Sequence, residues 1–222
     1  MMKYDQKTKL LLIKRAMMPV GFSKITKVPV LAYASERYNG VKCVVANGRA
    51  YSSNLLEIPN NKIQRVFRKY RVVLDYLDGE IVALSELGRK KLIFNRCADV
   101  DFVFYVHDFV DTGHSIYWTS RYKQLIDMKD EFPEFVVVKD YYKLTESQSK
   151  ENPLGLPEAS LLELKEKFMA SGAKSIFVRD AYGKYIQRDC RPSTPYVFDL
   201  PFEDVEAASI LIATGTTYLS TT

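Results

Sequence analysis

The chain has 222 residues, 47% of them hydrophobic and 27% charged, the balance of a globular protein rather than of a disordered or fibrous one, and the length suits one α+β domain. Lys and Arg number 32 against 27 Asp and Glu, a net charge of +5, which tolerates contact with nucleic acid but excludes a histone-like or arginine-rich binder. Cys43, Cys97 and Cys190 are odd in number and far apart, which speaks against a disulfide framework and a zinc site, and the apolar runs at Leu10 to Ile13 and Val136 to Val138 are too short to span a bilayer; a cytoplasmic protein with no membrane partner is expected.

Val41, Cys43 and Val45 alternate with less apolar neighbours, and Asn47-Gly48 supplies the positive φ values of a tight turn, so residues 41–52 read as a β-hairpin. Asn60 or Asn61 then caps a helix that places Ile63, Val66, Phe67 and Tyr70 on one side. Lys62, Arg65, Arg68, Lys69 and Arg71 take the remaining surface, most simply as a solvated face. Strands follow at Gly79 to Leu84 and Phe102 to Phe109, a helix at Thr119 to Met128 and a strand around Phe135 to Lys139. The polar stretch from Thr145 to Pro157 reads as a loop whose last proline opens a helix ending near Gly172, with Leu161, Leu164 and Phe168 inward. Short strands are expected at Ile176 to Arg179, Tyr185 to Gln187 and Tyr196 to Leu200, with a turn at Tyr182-Gly183. The main domain is placed at residues 1–207 and a frayed tail after it.

Several stretches carry a resemblance when taken in order. Arg37-Tyr38-Asn39-Gly40-Val41-Lys42 has the spacing of K-x-D-G-x-R, and Ser52-Ser53-Asn54 and Glu57-Ile58-Pro59-Asn60 follow the hairpin. Leu77-Asp78-Gly79-Glu80-Ile81 has the form L-D-G-E-l, and the run from Asp101 to Asp108 has the form d-F-x-f-x-v-F-D. Gly172 to Arg179 aligns with G-x-E-G-v-m-i-R, and Phe202 to Ala207 with F-x-D-x-E-A. Together they resemble motifs I, Ia, III, IIIa and IV, and the run that follows motif V, of the small ATP-dependent DNA ligases of phages and large DNA viruses, over about Met18 to Ala207. The resemblance implies an α+β, ATP-grasp-like nucleotidyltransferase domain, antiparallel sheets flanked by helices, without the oligonucleotide-binding barrel that such ligases carry next.

The resemblance also marks departures. In working ligases the motif I lysine attacks the α-phosphate of ATP through its neutral amine, and Arg37 stands there; a guanidinium stays protonated and cannot form the phosphoramide. Lys42, five residues on in a strand, needs another backbone path to replace it. Asn39 stands for the motif I acid, Lys42 for its arginine, Ser53 for the motif Ia arginine and His107 for the adenine-stacking aromatic. Lys174 replaces a motif IV glutamate and reverses the charge where a metal would bind, and the register set by Phe202 to Ala207 puts Phe198 and Leu200 at the two motif V lysines. Gly40, Glu80 and Arg179 agree with the motifs, the first two explained most simply by a tight turn and the opening of a strand.

From these departures the chain is expected to be no enzyme, with no cofactor and no metal. The leading expectation is a phage or viral binding protein that engages another protein through exposed Tyr117, Trp118, Tyr141, Tyr142 and Tyr182. The alternative is DNA or RNA binding of modest affinity through Arg65, Arg68, Lys69, Arg71 and the Arg89-Lys90-Lys91 turn. A polynucleotide ligase using an unrecognised lysine comes last.

Overall fold

The computed structural model describes residues 16–85, 89–111, 113, 116–186, 190–191, 193 and 196–215. Among these, strands form two sheets. One is ordered β1 (Val20–Gly21), β11 (Val197–Leu200), β10 (Ser175–Asp180), β2 (Ala32–Arg37), β8 (Tyr142–Leu144), β9 (Glu158–Ala159). The other is ordered β4 (Arg49–Tyr51), β3 (Val41–Ala46), β5 (Leu77–Ala83), β6 (Phe102–Phe109), β7 (Val136–Val138). The helices are α1 (Asn61–Lys69), α2 (Arg71–Leu74), α3 (Arg89–Phe94), α4 (Trp118–Met128), α5 (Leu161–Ala170) and α6 (Val205–Thr214). No helix among the described residues is long and apolar enough to cross a membrane.

The hairpin forms as its sequence dictates: Asn47 and Gly48 have φ of 53° and 66°, the double positive value that matches the twist of a two-residue turn. Asn60 caps α1 by accepting from the Ile63 N–H at 3.1 Å, and Ile63 and Phe67 are buried as the spacing requires. The proline at 157 does not open the next helix. Ser160 does, because it and Glu163 make a reciprocal capping box that satisfies two otherwise unpaired backbone donors, and Glu158–Ala159 pairs with β8 instead. Nor are the sheets purely antiparallel: β1–β11, β6–β7 and β8–β9 run parallel. In the second case the chain returns through α4 before pairing, which is the connection a parallel neighbour needs.

Tyr185 and Ile186 form no strand, and Gln187 lies outside the described residues. The Arg89-Lys90-Lys91 segment, expected as a turn, opens helix α3. Helix α6 continues past residue 207 and buries Ala208, Leu211 and Ile212, since these fall on one helical face; residues 216–222 of the expected tail lie outside the described residues.

Cross-strand register settles which side chains share a face. Ala32, Ala34, Ile176, Val178, Phe198 and Leu200 lie on the outer face of the first sheet and pack with Leu161, Leu164 and Phe168 of α5 and Val205 and Leu211 of α6. Cys43, Val45, Ile81, Phe104 and Val106 lie on the outer face of the second, against Ile63 and Phe67 of α1 and Leu125 of α4. Each buried Val, Leu, Ile or Phe among them contributes roughly 1.5–3 kcal/mol by leaving water, so both outer faces are committed to the cores. The inner faces are left to meet each other.

Candidate functional site

What meets between the sheets is polar. Paired positions put Ser35, Arg37, Ser175, Phe177, Arg179 and Asp199 on the inner side of the first sheet. Lys42, Asp78, Glu80, Tyr105 and His107 face them from the second. Water-free carboxylates and cations are tolerated only when paired or hydrogen-bonded, and the pairs can be named.

Lys42 Nζ lies 2.6 Å from Asp78 Oδ1 and 2.7 Å from His107 Nε2, and Tyr185 donates its hydroxyl to Asp78 Oδ2 at 2.9 Å. Burial, with Lys42 second, holds the His107 imidazole well below its usual pKa, so the ring is neutral and Nε2 accepts from the ammonium. Burial raises the Asp78 carboxyl, and Lys42 offsets part of that rise. Asp108 accepts from Arg121 Nε at 2.6 Å and from Arg179 Nη1 at 2.8 Å, while Tyr141 accepts from Arg179 Nε at 2.9 Å. Burial alone would push the Asp108 carboxyl up, yet the two guanidiniums hold it below the ordinary range.

At the open end of the cleft Arg37 pairs with Asp199 and lies 5.3 Å over the Phe177 ring. Gly40 donates its N–H to Glu80 Oε1 at 2.7 Å, while Glu80 Oε2 is buried without a hydrogen-bond partner among the described residues. Gly40 has no positive φ and serves no tight turn of that kind. A Cβ there would stand 2.5 Å from both Glu80 Cγ and the Ile81 carbonyl oxygen, so the glycine lets two backbones touch. Glu80 sits well inside β5 rather than opening it. Lys139, directly after β7, sends its ammonium across the cleft to the Glu36 carbonyl at 2.5 Å, among the rings of Tyr38, Tyr105 and Phe177 at 5.3, 5.8 and 5.6 Å. Burial lowers its pKa to about 8 against the opposing pull of Glu80 and Glu36.

The sequence-derived site residues divide. Arg37, Gly40, Lys42, Glu80, His107 and Arg179 come together between the sheets. Asn39 is exposed beside them in the β2–β3 corner, Lys174 is exposed with its N–H on the Arg37 carbonyl at 2.6 Å, and Ser53 is in the turn after β4, its carbonyl accepting from the Ala16 N–H. Phe198 and Leu200 do not line the cleft: a strand's side chains alternate between faces, and these two are fully buried in the α5–α6 core, leaving Asp199 as the cleft residue of β11.

Trp118 and Tyr141 are 1% exposed, which corrects their assignment to an exposed contact surface. Trp118 packs on Tyr33, Tyr122 and Tyr141 at 5.2, 5.2 and 4.7 Å, where aromatic area is worth more than at the surface. Tyr142 is half-buried against Phe168, and only Tyr117 and Tyr182 of the five are open, their rings edge to face at 5.8 Å. Arg65, Arg68, Lys69, Arg71, Lys90 and Lys91 are exposed. Lys139, Asp199, Asp108, Arg121 and the Tyr38–Tyr105 pair were not foreseen. Lys139 ends a valine run, and nothing local separates it from a solvated strand end.

No family model and no curated protein matches the chain. Solved structures do. Chlorella virus DNA ligase-adenylate is 15% identical over 85% of this chain and 67% of that one, with a TM-score of 0.67. The ATP-dependent DNA ligase of bacteriophage T7 in complex with ATP is 14% identical over 86% of this chain and 69% of that one, with a TM-score of 0.59. The ligase domain of M. tuberculosis LigD is 13% identical over 88% and 60%, with a TM-score of 0.58. These matches correct the expectation that the chain is no enzyme, which rested on motif positions alone: the architecture it shares is that of ligase domains, among them one seen as an adenylate and one with ATP. The chain has the α+β nucleotidyltransferase fold of ATP-dependent DNA ligases.

Proposed function

We propose that the chain is an ATP-dependent nucleotidyltransferase of the polynucleotide-ligase kind, which takes ATP between its two sheets and transfers adenylate to one of its own lysines. The observation that carries this reading is the interior itself. Where two sheets could have met through aliphatic side chains, Arg37, Lys42, Lys139 and Arg179 meet instead, the first two and the last paired with Asp199, Asp78 and Asp108, beside a buried Glu80 oxygen with no hydrogen-bond partner among the described residues. Cations converging in a low-dielectric space suit a polyphosphate, whose charge they stabilise far more strongly than in water.

Two structures with this fold support the choice of nucleotide, one as ligase-adenylate and one with ATP. No three His, Cys, Asp or Glu side chains of the described residues gather as a cation site, and Lys174 stands where the resemblance places a glutamate. The exposed Arg65, Arg68, Lys69 and Arg71 give a polynucleotide phosphate backbone a place to lie, a contact that weakens steeply as salt rises.

Incubation with ATP labelled at the α-phosphate, in magnesium buffer, followed by denaturation, is expected to leave label on the chain, whereas γ-labelled ATP leaves none. Absence of α-label, with a working ligase labelled alongside, overturns the reading.

A further inference from the structure

We infer that Lys139 is the amine that attacks the nucleotide, reaching from the second sheet the place on the first where Arg37 stands; the inference rests on the nucleotidyl-transfer reading above.

The backbone geometry delivers it. The Lys139 N–H donates to the Val106 carbonyl at 2.9 Å and the Tyr122 hydroxyl donates to the Lys139 carbonyl at 2.8 Å, so the main chain is fixed on both sides at the end of β7. From there the side chain crosses to the Glu36 carbonyl, one residue before Arg37. A primary amine thus arrives at the β2–β3 corner, beside Gly40 and Glu80, although the sequence of that corner supplies none that is free to react.

Charge pairing separates Lys139 from the other cations. Lys42 is tied to the buried Asp78, Arg37 to Asp199 and Arg179 to Asp108, and a guanidinium has no available lone pair in any case. Lys139 takes part in no ion pair among the described residues. Its Nζ contacts are aromatic faces and the Glu36 carbonyl; burial drives the ammonium to lose its proton more readily than a lysine in water, Arg179 and Arg37 add to that, and Glu80 and Glu36 pull against it. With a pKa brought down to about 8, roughly a tenth of it is free amine at pH 7, far more than for a lysine in water.

Access runs past two tyrosines. Lys139 is itself 1% exposed; Tyr38 and Tyr105, stacked at 4.7 Å and half-buried, stand between it and solvent, and Tyr38 belongs to the corner between β2 and β3 rather than to either strand, so it is past this wall that a nucleotide has to reach the amine. Glu80 Oε2, buried and without a hydrogen-bond partner among the described residues, offers a ligand donor an acceptor.

The step balances. Lys139 releases one proton to water, the Nζ lone pair forms a bond to the α-phosphorus of ATP, the bond from that phosphorus to the α–β bridging oxygen breaks, and pyrophosphate leaves with the electron pair. A second proton is lost from nitrogen to water, which leaves a phosphoramidate.

The test uses the whole chain, labelled with α-labelled ATP, digested, and mapped by tandem mass spectrometry. The label is expected on the peptide that contains Lys139, with a rate that climbs with pH and levels off above about 8. Lys139→Arg, which retains the charge and the aromatic contacts, is expected to lose the label while its circular dichroism and unfolding midpoint stay near those of the parent. Label found on a different lysine of the unaltered chain, or retained by Lys139→Arg, overturns the inference and leaves the nucleotidyl-transfer reading standing. A chain that takes no label beside a working ligase overturns both.

Discussion

Asp108→Asn is expected to lower the unfolding free energy by about 3–5 kcal/mol, the range for removing one partner of a buried ion pair. The carboxylate holds two guanidiniums, accepting from Arg121 at 2.6 and 3.0 Å and from Arg179 at 2.8 Å, and both arginines are 2% exposed. An amide keeps the shape but leaves two buried positive charges without a counter-ion. By contrast Lys62→Ala, which breaks the exposed pairs with Asp99 and Asp101, is expected to leave the denaturation midpoint almost unmoved, because water and salt already screen them. Denaturant melts of the two variants at pH 7 check the pair. The acid side follows with a definite sign. The Asp108 pKa is held below its ordinary value, so its contribution is fully present above the unfolded-state pKa and is lost as pH falls through the lower folded one. The variant should therefore have a flatter acid limb than the parent.

Lys139→Met is expected to have the opposite effect. The folded pKa is about 8 against an ordinary 10.5, so between these values the unfolded chain binds more protons than the folded one and stability rises with pH. Below about pH 8 the whole penalty of burying the charge is present, and it is of order 3 kcal/mol for a shift of that size. Methionine keeps the unbranched stem and favours aromatic neighbours; its loss is the hydrogen bond to the Glu36 carbonyl, which takes back about 1 kcal/mol or more. At pH 7 the variant should be the more stable chain, and its advantage should shrink steadily toward pH 10. A parent that is more stable at pH 7, with a gap that does not move with pH, would show that the ammonium is there for packing. A variant that gains stability and loses label at once has the pattern of a residue retained for chemistry at the expense of the fold.

Much of the fold was legible in the sequence, for local reasons. The Asn47-Gly48 turn, the Asn60 cap and the inward Leu161, Leu164 and Phe168 each follow from the preferences of a few neighbouring residues, and each formed as expected. Pro157 misled because proline at a first helical turn is permissive, whereas Ser160 with Glu163 supplies the hydrogen bonds that fix the start. Of the candidate site, only the residues that sit in the motif order were legible. Arg37, Gly40, Glu80, His107 and Arg179 could be found that way. Lys139 could not, since its meaning depends on a contact with Glu36, 103 positions away. Phe198 and Leu200 failed for a sharper reason: a strand register taken from a distant match needs to be wrong by only one residue for both side chains to lie on the opposite face. Trp118 and Tyr141 were taken as exposed anchors, but sequence alone does not distinguish an interface aromatic from one stacked in a core.

Whether ATP occupies the space between the sheets is decided by titrating the chain with an ATP analogue whose α–β bridge is methylene, which can bind but cannot release pyrophosphate. Calorimetry should give saturable one-to-one binding that weakens in Lys139→Met, together with an unfolding midpoint that rises with analogue concentration as mass action requires. No heat and an unmoved midpoint at millimolar analogue would contradict a nucleotide site between the sheets.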